Sequence, residues 1–117
     1  MSIKQSSREA ATERVPACWN RERDHACLCV KTRDGETFLL PYQHFVSAHC
    51  VTSDGKETLK LLFATYGITM QGRNFAELVL AIQDHAVDWI APMPARYHSL
   101  SEDDSVCITH LDIQAVE

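Results

Sequence analysis

The chain has 117 residues, a formal net charge of −5, 45% apolar residues and 23% charged ones, which suits one soluble domain with one hydrophobic core rather than a disordered or fibrous chain. Its eleven Lys and Arg are scattered and outnumbered by acids, so no basic stripe is available to neutralise a run of phosphates and nucleic acid is excluded as an expected partner. No apolar run reaches the length of a membrane span and "MSIKQSSREAATERV" has no apolar signal stretch, so a cytoplasmic setting without membrane contact is expected.

Residues 1–24 read as a polar arm, with a short helix over 8–14 and Trp19 as the one side chain large enough to lie against the domain formed by 25–117. In "RDHACLCVKT" a histidine and two cysteines recur at every second position, the spacing of one face of a strand. With Cys18 upstream, His25, Cys27 and Cys29 compose a candidate zinc or thiol sensor. Structural zinc favours knuckles in which a turn aims two sulfurs at the metal, and Cys-x-Cys on a straight strand does so poorly. Cys27 and Cys29 are therefore expected as small core residues. The five cysteines are odd in number and irregularly spaced, which argues for reduced thiols rather than a disulfide framework.

Asp34-Gly35 and Asp54-Gly55 each sit between runs rich in Val, Thr, Phe and Leu, the pattern of tight hairpins. Two-residue turns there would set Cys29 against Leu40, Lys31 against Phe38 and Val30 against Leu39 in the first hairpin. In the second they would set Cys50 against Leu59, Ala48 against Leu61 and Val46 against Phe63, with Cys50 in the core and His49 near Lys60 on the wetter face. A third turn at Tyr66-Gly67 pairs Phe63 with Met70 and keeps Leu61, Phe63, Ile68 and Met70 on one apolar side. Pro41 ends the strand that contains it or places it at an edge.

After Gly72 the period becomes helical: Asn74 caps, Glu77 completes a capping box, and Phe75, Leu78, Val79 and Ile82 form the buried stripe. His85 falls in the last turn, where a helix dipole favours it. "AVDWIAPMPARYH" reads as a strand and then a loop, "SEDD" as an acidic turn, and "SVCITHLDI" as a final strand with Cys107, Thr109 and Leu111 on one side.

The expected fold is α+β: an antiparallel meander of about five strands, as a sheet or partly open small barrel, covered by one α-helix, with an extra C-terminal strand. That element order is similar to that of pleckstrin-homology-like and other small barrel domains, with no residue motif through which binding residues could be carried over.

No catalytic constellation or cofactor motif emerges, and catalysis is not expected. His49 and Cys50 point to opposite sides of a strand and cannot form a nucleophile–base pair. Asp84, His85 and Asp88 are close only in sequence. Two alternatives stand beside the main expectation: the zinc- or thiol-dependent sensor on Cys18, His25, Cys27 and Cys29, and a small ligand-binding barrel or enzyme with a pocket around Tyr42, His44 and Arg73; separately, free amides at the helix start beside Gly72, Arg73 and Asn74 could hold an anion. The main expectation is an interaction or regulatory module whose partner is another protein or a second copy, as a homodimer, engaged through an edge strand or surface patch.

Overall fold

The computed structural model describes residues 15–100 and 104–116; the helix expected over 8–14 and most of the acidic turn, residues 101–103, lie outside them. Eight strands and one α-helix follow in order: β1 (Trp19–Arg21), β2 (Cys27–Lys31), β3 (Thr37–Pro41), β4 (Phe45–Ser53), β5 (Lys56–Phe63), β6 (Tyr66–Arg73), α1 (Ala76–Gln83), β7 (Val87–Ile90) and β8 (Cys107–Ala115). They form two four-stranded sheets, β1-β7-β2-β3 and β4-β5-β6-β8. A small α+β architecture is therefore present, but the single meander is not, and the sheets do not close into a barrel. All pairings are antiparallel except β2 with β7. Within the segment expected as a polar arm, β1 pairs with β7 and Cys18 is buried in the core.

The second hairpin folds as its Asp-Gly pair dictates. Asp54 and Gly55 take φ of 54° and 75°, the paired left-handed conformations of a two-residue turn that matches strand twist. Ser47 through Ser53 then face Leu62 through Lys56 in the expected register. A bulge at Val46 ends that register, so Phe45 rather than Val46 faces Phe63, and the two rings meet edge to face at 5.4 Å. The next turn is centred on Ala64-Thr65 rather than Tyr66-Gly67, giving Leu61–Ile68 and Leu59–Met70 pairs. Two outside bonds hold it there: the Ala64 amide donates to the His44 carbonyl (2.8 Å) and the Val116 amide to that of Thr65 (2.9 Å). Each partner moves by four residues, an even number, so Leu59, Leu61, Phe63, Ile68 and Met70 still share the buried face.

The first hairpin differs by one residue. Its loop has three residues, Arg33 to Gly35, closed by the Thr32 amide on the Glu36 carbonyl (2.9 Å) and the Gly35 amide on that of Thr32 (3.1 Å), with Gly35 at φ 89°. Leu28 consequently faces Leu40, Cys29 faces Leu39 and Val30 faces Phe38. One residue of slip turns one strand over relative to its partner. Leu28, Val30 and Leu40 are the core residues, Leu39 is 65% exposed, and Cys27 and Cys29 lie half-buried on the outer face rather than in the core.

Pro41 brings no amide proton to continue a ladder, and the chain leaves the first sheet in a short 3-10 turn, Tyr42–His44. Tyr42 is buried there, its hydroxyl donating to the Val87 carbonyl (2.5 Å). This anchor turns β4 into a second layer instead of adding it to β3. Contacts between Phe38 and Tyr66 (5.2 Å, edge-on) and between Tyr42 and Phe63 (6.4 Å) join the layers.

Phe75, just before α1, and Leu78, Ala81 and Ile82 within it are buried, with Val79 half-buried and Leu80 outside. No capping box forms. Asn74 adopts φ 64°, which turns its side chain away to donate to the Ser105 carbonyl (2.8 Å). The helix start is capped instead by Glu57 of β5, whose two carboxylate oxygens accept the amides of Asn74 and Phe75 at 3.0 Å each. At the other end His85 lies past the last turn at φ 55°; the Ala86 amide reaches the Ala81 carbonyl and the His85 amide that of Ile82, a left-handed helix stop normally given to glycine. His85 accepts the strained conformation while stacking on Tyr42 at 4.8 Å and 7°.

β6 and β8 approach most closely at a bulge beside Gly72. A Cβ on Gly72 would stand 1.9 Å from the Cys107 carbonyl oxygen, a backbone atom, whereas one on Gly67 of the same strand meets nothing within 4 Å. Gly72→Ala is expected to lower stability by about 3 kcal/mol or prevent folding, and Gly67→Ala to stay within about 0.5 kcal/mol of the parent; urea unfolding of the pair measures the difference.

Candidate functional site

The side chains nominated as a ligand pocket are not brought together. Tyr42 is buried and bonded to β7, His44 is exposed on the 3-10 turn, and Arg73 donates to the His98 carbonyl (2.6 Å), tying the segment after β7 to the end of β6. Two open depressions, of about 680 and 450 Å³, are lined by other residues: the first by Trp19, Met93 and Val106 among others, the second by Arg33, Gln71 and His110 among others. The anion cradle expected at the helix start is occupied by the chain's own Glu57 carboxylate.

The sulfur-based metal set is also dispersed. Cys18 is buried with its thiol directed at the Val106 carbonyl (3.5 Å), Cys27 and Cys29 lie on the outer face of the first sheet, and no three of Cys18, His25, Cys27 and Cys29 bring ligand atoms within 4.8 Å of one another. All five cysteines are free thiols. Burial pushes the Cys18 thiol above its ordinary pKa, and Cys50 is raised by desolvation and then by the Glu57 carboxylate beside it. Both shifts favour the protonated thiol over the nucleophilic thiolate.

His25 has different neighbours. Its Nε2 lies 3.3 Å from Glu22 Oε2 and 3.6 Å from Asp88 Oδ1, and among the described residues these three form the one group of three or more His, Cys, Asp or Glu ligand atoms within 4.8 Å. Glu22 follows β1, His25 precedes β2 and Asp88 belongs to β7, so the pairing of β7 with both strands gathers them. Asp84 instead pairs with Arg21 (3.1 Å) and His85 with Tyr42. The trio Asp84, His85 and Asp88 thus goes to three separate places.

Comparison with protein-family models, curated proteins and solved structures returns no match. Function must be read from the geometry.

Among the described residues the two sheets have four edge strands: β1, β3, β4 and β8. β1 has three residues, β3 has five and ends in Pro41, and β8 carries Asp112. β4 is nine residues long, contains neither Pro, Lys, Arg, Asp nor Glu, and is exposed from Val46 through Ser53. Its inward-facing Ala48 and Cys50 project beyond the core, so Cys50 is a surface residue rather than the core residue expected. Around the strand stand Val46, Val51 and Leu62, 60%, 46% and 39% exposed. Natural edges are normally blunted by charge, proline or brevity; β4 has none of these.

Tyr42 supplies a pH signature for the layer junction. Burial first, and then the Asp88 carboxylate, pushes the phenol up to about 12 from 10.0. The unfolded chain then releases this proton first, so the contribution is complete below about pH 10 and is lost as pH rises towards 12, roughly 2–3 kcal/mol in all. Tyr42→Phe is expected to cost about 1 kcal/mol at neutral pH and to flatten the fall in unfolding free energy between pH 10 and 12; denaturant titrations of both proteins across that window measure it.

Proposed function

We infer that this protein is a small interaction module that self-associates by pairing β4 with β4 of a second copy. The observation that carries this reading is the long edge of the second sheet, which holds no Lys, Arg, Asp or Glu and which no other described strand covers. Because Ser53 and Lys56 flank a two-residue turn they exchange hydrogen bonds, and alternation along the ladder leaves the amides and carbonyls of Ala48, Cys50 and Thr52 directed away from β5.

A second copy fits that row by symmetry. The regular part of β4, Ser47 to Ser53 between bulge and turn, is centred on Cys50, an outward-bonding position. An antiparallel two-fold pair with Cys50 on the axis sets Ala48 against Thr52 in both directions, forms about six hydrogen bonds, and closes the edge. The strand carries no charge, so the copies meet no like charges along it. The flanking Val51 and Leu62 add apolar area. Strand pairing with so few side chains buries less than a permanent dimer interface, and the association is accordingly reversible and concentration-dependent.

Cys50→Pro tests this, because it removes an outward amide while leaving the β4–β5 ladder intact. Sedimentation equilibrium from micromolar to millimolar concentration should show the parent passing from monomer to dimer and Cys50→Pro remaining monomeric with an unchanged circular dichroism spectrum. A parent that stays monomeric throughout, or a folded Cys50→Pro that dimerises equally well, contradicts the reading.

A further inference from the structure

We propose that Glu22, His25 and Asp88 form a binding site for one divalent transition-metal ion, zinc being the reference case, that straps the β1–β2 connection to β7. This stands independently of the pairing of β4, which lies in the other sheet.

The three donor atoms stand at metal-ligand rather than hydrogen-bond separations. A charge-assisted N–H···O bond runs to about 2.7–2.9 Å, and the imidazole Nε2 approaches neither carboxylate that closely, standing at 3.3 Å from one and 3.6 Å from the other. Donor atoms bound to one zinc at about 2.0–2.1 Å in tetrahedral array are about 3.3 Å apart. The separations match an edge of a coordination shell better than they match a hydrogen bond.

The nitrogen is also left without a partner among the described residues. Nε2 is inaccessible to solvent and has no hydrogen-bond partner, although the ring itself is one-third exposed. A buried polar atom normally has a partner, and this one is directed between two carboxylate oxygens. Those carboxylates have no Lys or Arg within 4.0 Å among the described residues; the nearby Arg21 is engaged by Asp84. A single imidazole N–H could serve only one of them, whereas a dication bound by all three donors satisfies the nitrogen and offsets both charges.

Asn20 Nδ2 donates to Asp88 Oδ2 (3.2 Å), which holds that carboxylate with its other oxygen, Oδ1, towards His25. Such outer support is a regular feature of metal ligands. One imidazole and two carboxylates suit zinc and its first-row neighbours, which accept mixed N/O donors, more than the all-oxygen shells of calcium and magnesium. Glu22 is 60% exposed, so this ligand can swing aside to admit an ion to the covered nitrogen, and the remaining coordination positions fall to water.

The test is zinc titration of the full chain, previously stripped with chelator and desalted, by calorimetry and thermal unfolding. The parent should bind one equivalent and, at a hundredfold excess over Kd, unfold about 10 °C higher. Glu22→Gln, exposed and so harmless to folding, and His25→Gln should each weaken binding at least about tenfold and reduce the thermal shift. Cys27→Ser/Cys29→Ser should bind as the parent does. No saturable binding, or binding that persists in Glu22→Gln and His25→Gln, or that disappears with the two thiols, overturns the proposal.

Discussion

The arrangement of the first sheet depends on the loop between β2 and β3 having three residues. Gly35 accepts a left-handed φ of 89° and absorbs one residue that a two-residue turn would have left in the strands. That residue sends Leu28, Val30, Phe38 and Leu40 towards the second sheet and Cys27, Cys29 and Leu39 away from it. The inward row supplies the apolar surface on which the second layer rests, and Phe38 meets Tyr66 across the gap. The outward row stands beside Trp89, which pairs with Cys29 and carries the Lys31 ammonium at 4.9 Å over its ring. A slip of one residue would turn one strand over against the other, taking either Leu28 and Val30 or Phe38 and Leu40 out of the shared inward face, side chains each worth about 1.5–3 kcal/mol when buried.

The second sheet is organised by a single carboxylate. Glu57 reaches from β5 to the first amides of α1, so the helix is capped by the sheet it covers, and strand and helix position each other. The close passage of Cys107 over Gly72 fixes β8 on the opposite side of β6. β5, β6 and β8 supply Leu59, Leu61, Phe63, Ile68, Met70, Cys107 and Ile108 to the core, and β4 at the edge supplies no buried residue. That is why Ala48 and Cys50 share a face with Leu59 and Leu61 and yet are exposed. The same packing that completes the core creates the edge from which the interaction reading is drawn.

Much of the second sheet is legible in the chain because its determinants are local. Asp54-Gly55 selects a turn type, the turn selects a register, and alternation selects the face. Asp34-Gly35 illustrates the limit: the same dipeptide serves a two-residue turn or the end of a three-residue loop, and only packing across the layers distinguishes Leu28 from Cys29 as the inward residue. The helix period was readable from Phe75 to Ile82, but its cap comes from a residue 17 positions away in β5, beyond any local motif. The division into two sheets rests on Tyr42 bonding to Val87, 45 residues on. For the site, "RDHACLCVKT" marks His25 by its alternation with two cysteines, and the spacing points to the nearby sulfurs as co-ligands. Glu22, three residues before it, was a local signal of the other set, but Asp88 joins only because β7 inserts between β1 and β2, a crossover that alternation does not encode.

Thiol reactivity addresses the β2–β3 register most directly, because the five cysteines divide between the two sides of the fold. Native protein at low micromolar concentration, treated with a thiol-specific reagent and read by mass spectrometry of its peptides, should label Cys50 first, then Cys27 and Cys29. Cys18 and Cys107 should react only on unfolding. Protection of Cys27 and Cys29 to the same degree as Cys18 and Cys107 would put them in the core and contradict the register on which the two-layer structure depends.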